Sequence, residues 1–222
     1  LFVEGRDDER ILAAAAALAD GDQEVQARLA DVDVDAASLS LAATVPLGSS
    51  STCFPVQAAA SLGIPVGVLL DGDAWKDGQG SDAARCQWQA LGNNKALVDW
   101  KERNGDGDQE LRKGGLFLWK GEMEEMVAET LPACLCLYRS LRRSLRNTGT
   151  AEEEAARAVQ WASVKKAKGG GKEPTLHGSW GQIPEEAIRN CVRALIEHRN
   201  DQFLALLRFW ASLQRHTNLA DD

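Results

Sequence analysis

Gly63-Ile64-Pro65-Val66-Gly67-Val68-Leu69-Leu70-Asp71-Gly72-Asp73 is the stretch on which the fold turns. From Ile64 to Leu70 nearly every residue is apolar, as in a central parallel strand covered on both faces. The run stops abruptly at an Asp-Gly-Asp. In open parallel sheets, ligands gather beyond the carboxyl ends of the strands, so Asp71 and Asp73 stand where chemistry is expected. In an extended chain they point to opposite faces, and Gly72 is the residue free to make the turn that would gather them.

Working outward, Val56 to Leu62 predicts a short helix capped by Gly63. Leu1-Phe2-Val3 reads as a strand closed by Glu4-Gly5. Asp7 to Leu18 follows as a helix, with Ile11, Leu12, Ala15 and Leu18 at helical spacing and Asp7 and Asp8 in the first turn, where the helix dipole favours anions. Asp20 to Asp35 is a polar stretch. Ser38 to Pro46 alternates and predicts another strand, ending at Gly48, a turn glycine, and Ser49-Ser50-Ser51. Leu116-Phe117-Leu118-Trp119 is the fourth strand, followed by Gly121 and an acidic helix from Glu122 to Leu131. Four strands separated by helices or long crossovers imply an α/β fold with a mostly parallel, Rossmann-like sheet flanked by helices. After Pro132 the pattern turns helical: Leu135 to Leu145, Ala151 to Lys168, Ile183 to Arg199 and Gln202 to Leu213. The expected division is a catalytic domain at 1–132 and a helical extension at 133–222.

The composition excludes several classes. Apolar residues make up 44% of the 222 residues, enough for a core, and no run reaches the length of a membrane span. Charge is uneven. Residues 133–172 carry nine basic and three acidic side chains, a local +6 that leaves −14 for the rest of a chain of net −8. An acidic body with a basic flank suits metal-dependent work on a polyanion, although two helices with solvated charged faces give the same numbers. The five cysteines (Cys53, Cys86, Cys134, Cys136, Cys191) form no framework spacing, which predicts reduced thiols. With no signal-peptide pattern, this points to a cytoplasmic protein. The chain opens on Leu1, already inside a strand, and reads as a fragment with an upstream part missing.

Glu4 and the two aspartates close two different strands. If those strands are neighbours the three acids converge at one edge, and Asp8, one turn on, reaches back toward them. Such like charges need protonation or a cation, and hard oxygen donors favour Mg²⁺ or Mn²⁺ over zinc.

Phe2-Val3-Glu4-Gly5 with Asp8 and Ile11-Leu12, the second strand ending at Gly48, Val68 to Asp73, and Gly121-Glu122-Met123-Glu124 together resemble a TOPRIM domain. The closer similarity is to the OLD-family nucleases, in which an ABC-type ATPase domain precedes the TOPRIM domain. The resemblance covers about residues 1–132. It implies a two-metal DNA endonuclease dependent on Mg²⁺ or Mn²⁺. Metal ligands would be Glu4, Asp8, Asp71, Asp73 and Glu124, with Glu122 and Glu125 as rivals of Glu124. It also implies a downstream catalytic lysine: Lys172, or else Lys165, Lys166 or Lys168. DNA, an upstream ATPase domain and a second copy of the chain are the implied partners, with no membrane.

Other signals are weaker. Asn104 to Asp108 resembles the start of a calcium loop, but Gln109 and Gly115 break the pattern. His177, His198 and His216 are scattered, which favours surface or core roles. Tyr138 sits in a leucine-rich helix and reads as packing, and Trp75 and Trp180 read as buried or partner-contacting before base-stacking. Two alternatives to the nuclease remain. One is a non-catalytic module that binds nucleic acid or a partner. The other is a dehalogenase-like phosphohydrolase with Asp71 as nucleophile and Asp73 as acid/base, which leaves Glu4 without a role.

Overall fold

In a computed structural model, residues 1–41, 43–72, 80–93, 108–142, 150–163 and 175–215 are described. Four short strands, β1 (Phe2–Val3), β2 (Val45–Pro46), β3 (Val68–Leu70) and β4 (Leu116–Leu118), form one sheet in the order β2-β1-β3-β4. Every pairing is parallel, with Phe2 opposite both Val45 and Val68 and Leu69 opposite Phe117. The chain leaves β1 to one side for β2, then crosses back to place β3 on the other side. The switch point of the sheet therefore lies between β1 and β3.

All three residues of β3 are buried, and their alternation divides the core. Leu69 faces one apolar cluster with Val3 and Phe117, while Val68 and Leu70 face a second with Leu116, Leu118, Val56 and Trp88. This is the two-sided burial expected of a central parallel strand. The ladder is shorter than the apolar run. Pro65 has no N–H to offer and Ile64 is half exposed, so Ile64 to Gly67 is a lead-in.

The first cluster is covered by α1 (Arg6–Gly21) and by helices from the second half of the chain, which join the same core as Val3 and Leu69. Those include α7 (Met123–Ala128), α8 (Leu131–Arg142), α9 (Ala151–Ser163), α10 (Glu185–Glu197) and α11 (Asp201–Arg215). Arg193 on α10 pairs with Asp22 at 2.8 Å, tying it to the end of α1. Tyr138 packs edge-on against Trp161, as its leucine-rich setting predicts. The second cluster is covered by α4 (Phe54–Ser61), α5 (Gly80–Ala90) and α6 (Asp108–Lys113). Among the described residues no helix is long and apolar enough to cross a membrane.

Three expectations are corrected. The polar stretch after Asp20 holds a helix, α2 (Gln23–Ala30), because Asp22 accepts the N–H groups of Glu24 and Val25 and the helix buries Val25 and Leu29. Ser38 to Leu41 is also helical, in α3 (Ala36–Leu41), where Asp35 accepts from the Ala37 N–H and the Ser38 hydroxyl. Only Val45–Pro46 remains as strand, at the sheet edge, where proline's missing donor is tolerated. The cysteines are not all reduced: Cys53 before α4 and Cys86 on α5 form a disulfide, with their Cα atoms 6.2 Å apart. Packing of α4 on α5 brings the pair together, and sequence spacing carries no trace of that. Cys134, Cys136 and Cys191 are free.

Candidate metal centre

Glu4 follows directly on β1, and Asp71 on β3. Because these strands are neighbours in register, their carboxyl ends open side by side at the switch point. The Asp71 backbone N–H donates to Glu4 Oε2 at 3.2 Å, joining the two strand ends through the acid side chain. On the other side of β1 the Gly48 N–H donates to the Glu4 carbonyl at 3.1 Å, in a turn that gives Gly48 a φ of +74°.

Asp8 belongs to the first turn of α1. Its Oδ2 accepts the Gly5 N–H at 3.1 Å, closing the helix start, and its Oδ1 accepts the Trp119 indole N–H at 3.4 Å. Only 7% of Asp8 is exposed. Burial pushes its carboxyl up to about 7, and the Glu4 and Glu124 charges push the same way against those two hydrogen bonds. Asp7 is also raised, first by burial and then by Glu124, with Arg10 and His177 partly offsetting. Asp8 thus feels the charges of both Glu4 and Glu124, and Asp7 that of Glu124.

Glu124 comes into this neighbourhood because β3 and β4 are stitched at their ends. The Gly72 N–H donates to the Gly121 carbonyl at 2.6 Å, and a Cβ on Gly72 would lie 2.6 Å from the Trp119 carbonyl oxygen. Gly72 is thus required for close approach rather than for an unusual dihedral. Past Gly121, Glu125 reaches back to accept the Glu122 N–H at 3.3 Å and start α7. A Cβ on Gly121 would stand 1.7 Å from that carboxylate, so the glycine leaves room for the cap. Of the three rival glutamates, Glu125 has this capping role. Glu124 is buried at 7% exposure, with Oε1 accepting the Trp180 indole N–H at 2.8 Å.

His177 lies beside it, with Nδ1 3.4 Å from Glu124 Oε1. One ligand atom each from Glu122, Glu124 and His177 fall within 4.8 Å of one another, close enough to share one ion. The two short 3₁₀ turns bearing His177 and Trp180 (Leu176–Gly178 and Trp180–Gln182) are anchored to α1. Arg10 donates to the Trp180 and Ile183 carbonyls and pairs with Glu185 at 2.6 Å.

Of the expected ligands, Glu4 and Asp71 sit at the ends of neighbouring strands and Asp8 opens α1 beside them. Among the described residues the group whose ligand atoms lie close enough to share an ion is Glu122, Glu124 and His177, which includes Glu124 but not Glu4, Asp8 or Asp71. His177 is 53 positions beyond Glu124 and had no motif to mark it. Trp180, expected to be buried or to contact a partner, is buried, and its indole holds Glu124. Asp73, Trp75, Lys165, Lys166, Lys168, Lys172 and His216 lie outside the described residues. No family model, curated protein or solved structure matches the chain.

Proposed function

We propose that this chain is a divalent-cation-dependent DNA endonuclease, with a TOPRIM-like core similar to that of the OLD-family nucleases. The observation that supports it most is the meeting of Glu4 and Asp71 at the switch point, through the 3.2 Å hydrogen bond between neighbouring strands. An all-parallel four-stranded sheet flanked by helices is compatible with that core.

The residues present fit a cation. Glu122, Glu124 and His177 each bring a ligand atom within 4.8 Å of the others. The buried Asp8 carboxyl, held up to about 7 with Glu4 and Glu124 acting on it, is a group whose charged form a dication stabilises. Oxygen donors suit Mg²⁺ or Mn²⁺. Glu4, Asp8, Asp71 and Glu124 are the proposed ligands, with Asp73 alongside them and Lys172 as the downstream lysine. When bound, the cation withdraws charge from the phosphodiester and from the oxygen that leaves it. The chain's own part is orientation. The Trp119 and Trp180 indoles each hold one carboxylate by one oxygen, and the Asp71 N–H holds Glu4. The same resemblance extends the proposal to an upstream ABC-type ATPase domain, a homodimer and a cytoplasmic setting. The Cys53–Cys86 bridge stands against the last of these, since disulfides persist mainly in oxidising compartments.

One observation favours a second reading, a non-catalytic module with this fold. Both Asp8 oxygens already accept hydrogen bonds, as a purely structural helix-start acid would. Supercoiled plasmid incubated with Mg²⁺ or Mn²⁺ separates the two. Nicking by the wild type that drops at least a hundredfold in folded Asp71→Asn and Glu4→Gln supports the nuclease. Equal nicking by all three removes it.

A further inference from the structure

At the opposite end of the strands, where β3 and β4 begin, an open groove of about 700 Å³ runs along the surface. That volume lies within the range of small-molecule sites, roughly 300–1,000 Å³. Its apolar wall comes from Ile64 and Val66 of the β3 lead-in and from Phe209 and Leu213 of α11. Gly67 shapes this wall: a Cβ there would lie 2.6 Å from Leu213 Cδ1 and 2.9 Å from Phe209 Cζ, so both α11 side chains would have to shift.

The charged side chains among the described lining residues have one sign. Arg112, Lys113 and Arg208 line the groove, and no Asp or Glu is among its described lining residues. In a chain of net charge −8 this grouping runs against the average. Two of the three cations are held in place by other contacts. Arg112 lies over the Phe117 ring at 4.8 Å from its centroid, and Arg208 Nε donates to the Val32 carbonyl at 2.9 Å. Lys113 makes an exposed 3.4 Å pair with Glu110, the kind of contact that is readily exchanged.

We infer that this groove binds a small organic anion, with an apolar body against α11 and a phosphate or carboxylate end against Lys113 and Arg208. Apolar walls with a few convergent charged groups are the general make-up of a ligand site, and the charge complementarity selects the anion. The inference stands apart from the nuclease proposal, since the two sites occupy opposite ends of the strands.

Calorimetric titration of the full chain in EDTA tests it, with AMP and decanoate as probes and adenosine and decanol as their uncharged counterparts. Saturable binding of either anion is expected, at least tenfold tighter than its uncharged counterpart. A Lys113→Glu, Arg208→Gln double variant, altered only at exposed side chains, should keep its melting temperature and lose at least tenfold in affinity. Ser212→Trp, which fills the groove, should do the same. AMP binding alone identifies phosphate as the recognised end, and decanoate alone identifies carboxylate. Absence of saturable binding by both anions, or equal binding in the double variant, overturns the inference.

Discussion

Replacing Asp8 with asparagine isolates the electrostatic cost of burying its carboxyl. The Asp8 carboxyl stands at about 7 in the folded protein against an ordinary 3.8. Between those values the folded state keeps a proton that the unfolded chain has released, so this group's contribution to stability is full below about pH 4 and is lost as pH rises through 7. A shift of about three units corresponds to roughly 4 kcal/mol at pH 8 without metal. The asparagine side chain would carry no charge but could accept only one of the two hydrogen bonds that Asp8 accepts, a loss of about 1 kcal/mol. Asp8→Asn should therefore be more stable than wild type at pH 8 in EDTA, by about 1–3 kcal/mol, or several degrees in melting temperature for a chain of this size. At pH 5 the gain should shrink toward zero, and with saturating Mn²⁺ at pH 8 the order should reverse, because only the wild type keeps the ligand. Thermal melts at two pH values, with EDTA or Mn²⁺, check all of this. A variant destabilised at pH 8 in EDTA as much as at pH 5 would refute the reasoning and leave Asp8 as a helix-start acid alone.

Gly72→Ala should destabilise by about 1–3 kcal/mol in denaturant melts, because the new methyl meets the backbone of Trp119 to Gly121, just past β4. Trp180→Phe removes the indole that holds Glu124, and calorimetry should show Mn²⁺ affinity down about tenfold with a stability change near 1 kcal/mol. Reduction of Cys53–Cys86, which closes a loop with a sequence separation of 33, should cost about 3–4 kcal/mol by chain entropy, seen as a lower melting temperature in reductant.

The β3 run was legible because double-sided burial leaves no polar residue between Val68 and Leu70, and the acid that ends each central strand is as plain as the strand itself. Ser38 to Leu41 was not. Alternating serine and leucine satisfies a strand period, but the deciding interaction is local, the Asp35 cap, which turns the same residues into a helix. Asp22 does the same for α2. Elsewhere the missing information is tertiary. Cys53 and Cys86 meet only because α4 packs on α5, and His177 reaches Glu124 only because Arg10 fixes the turns beside it to α1. In the sequence Gly72 stands out for its conformational freedom, whereas its contacts show a need for space.

Anomalous diffraction from a crystal soaked in Mn²⁺ measures the central claim directly. The account predicts a peak at the switch point at coordination distance, about 2.0–2.4 Å, from carboxylate oxygens of both Glu4 and Asp71. A peak held by Glu122, Glu124 and His177 with Glu4 and Asp71 out of reach, or no peak at this edge at all, contradicts it.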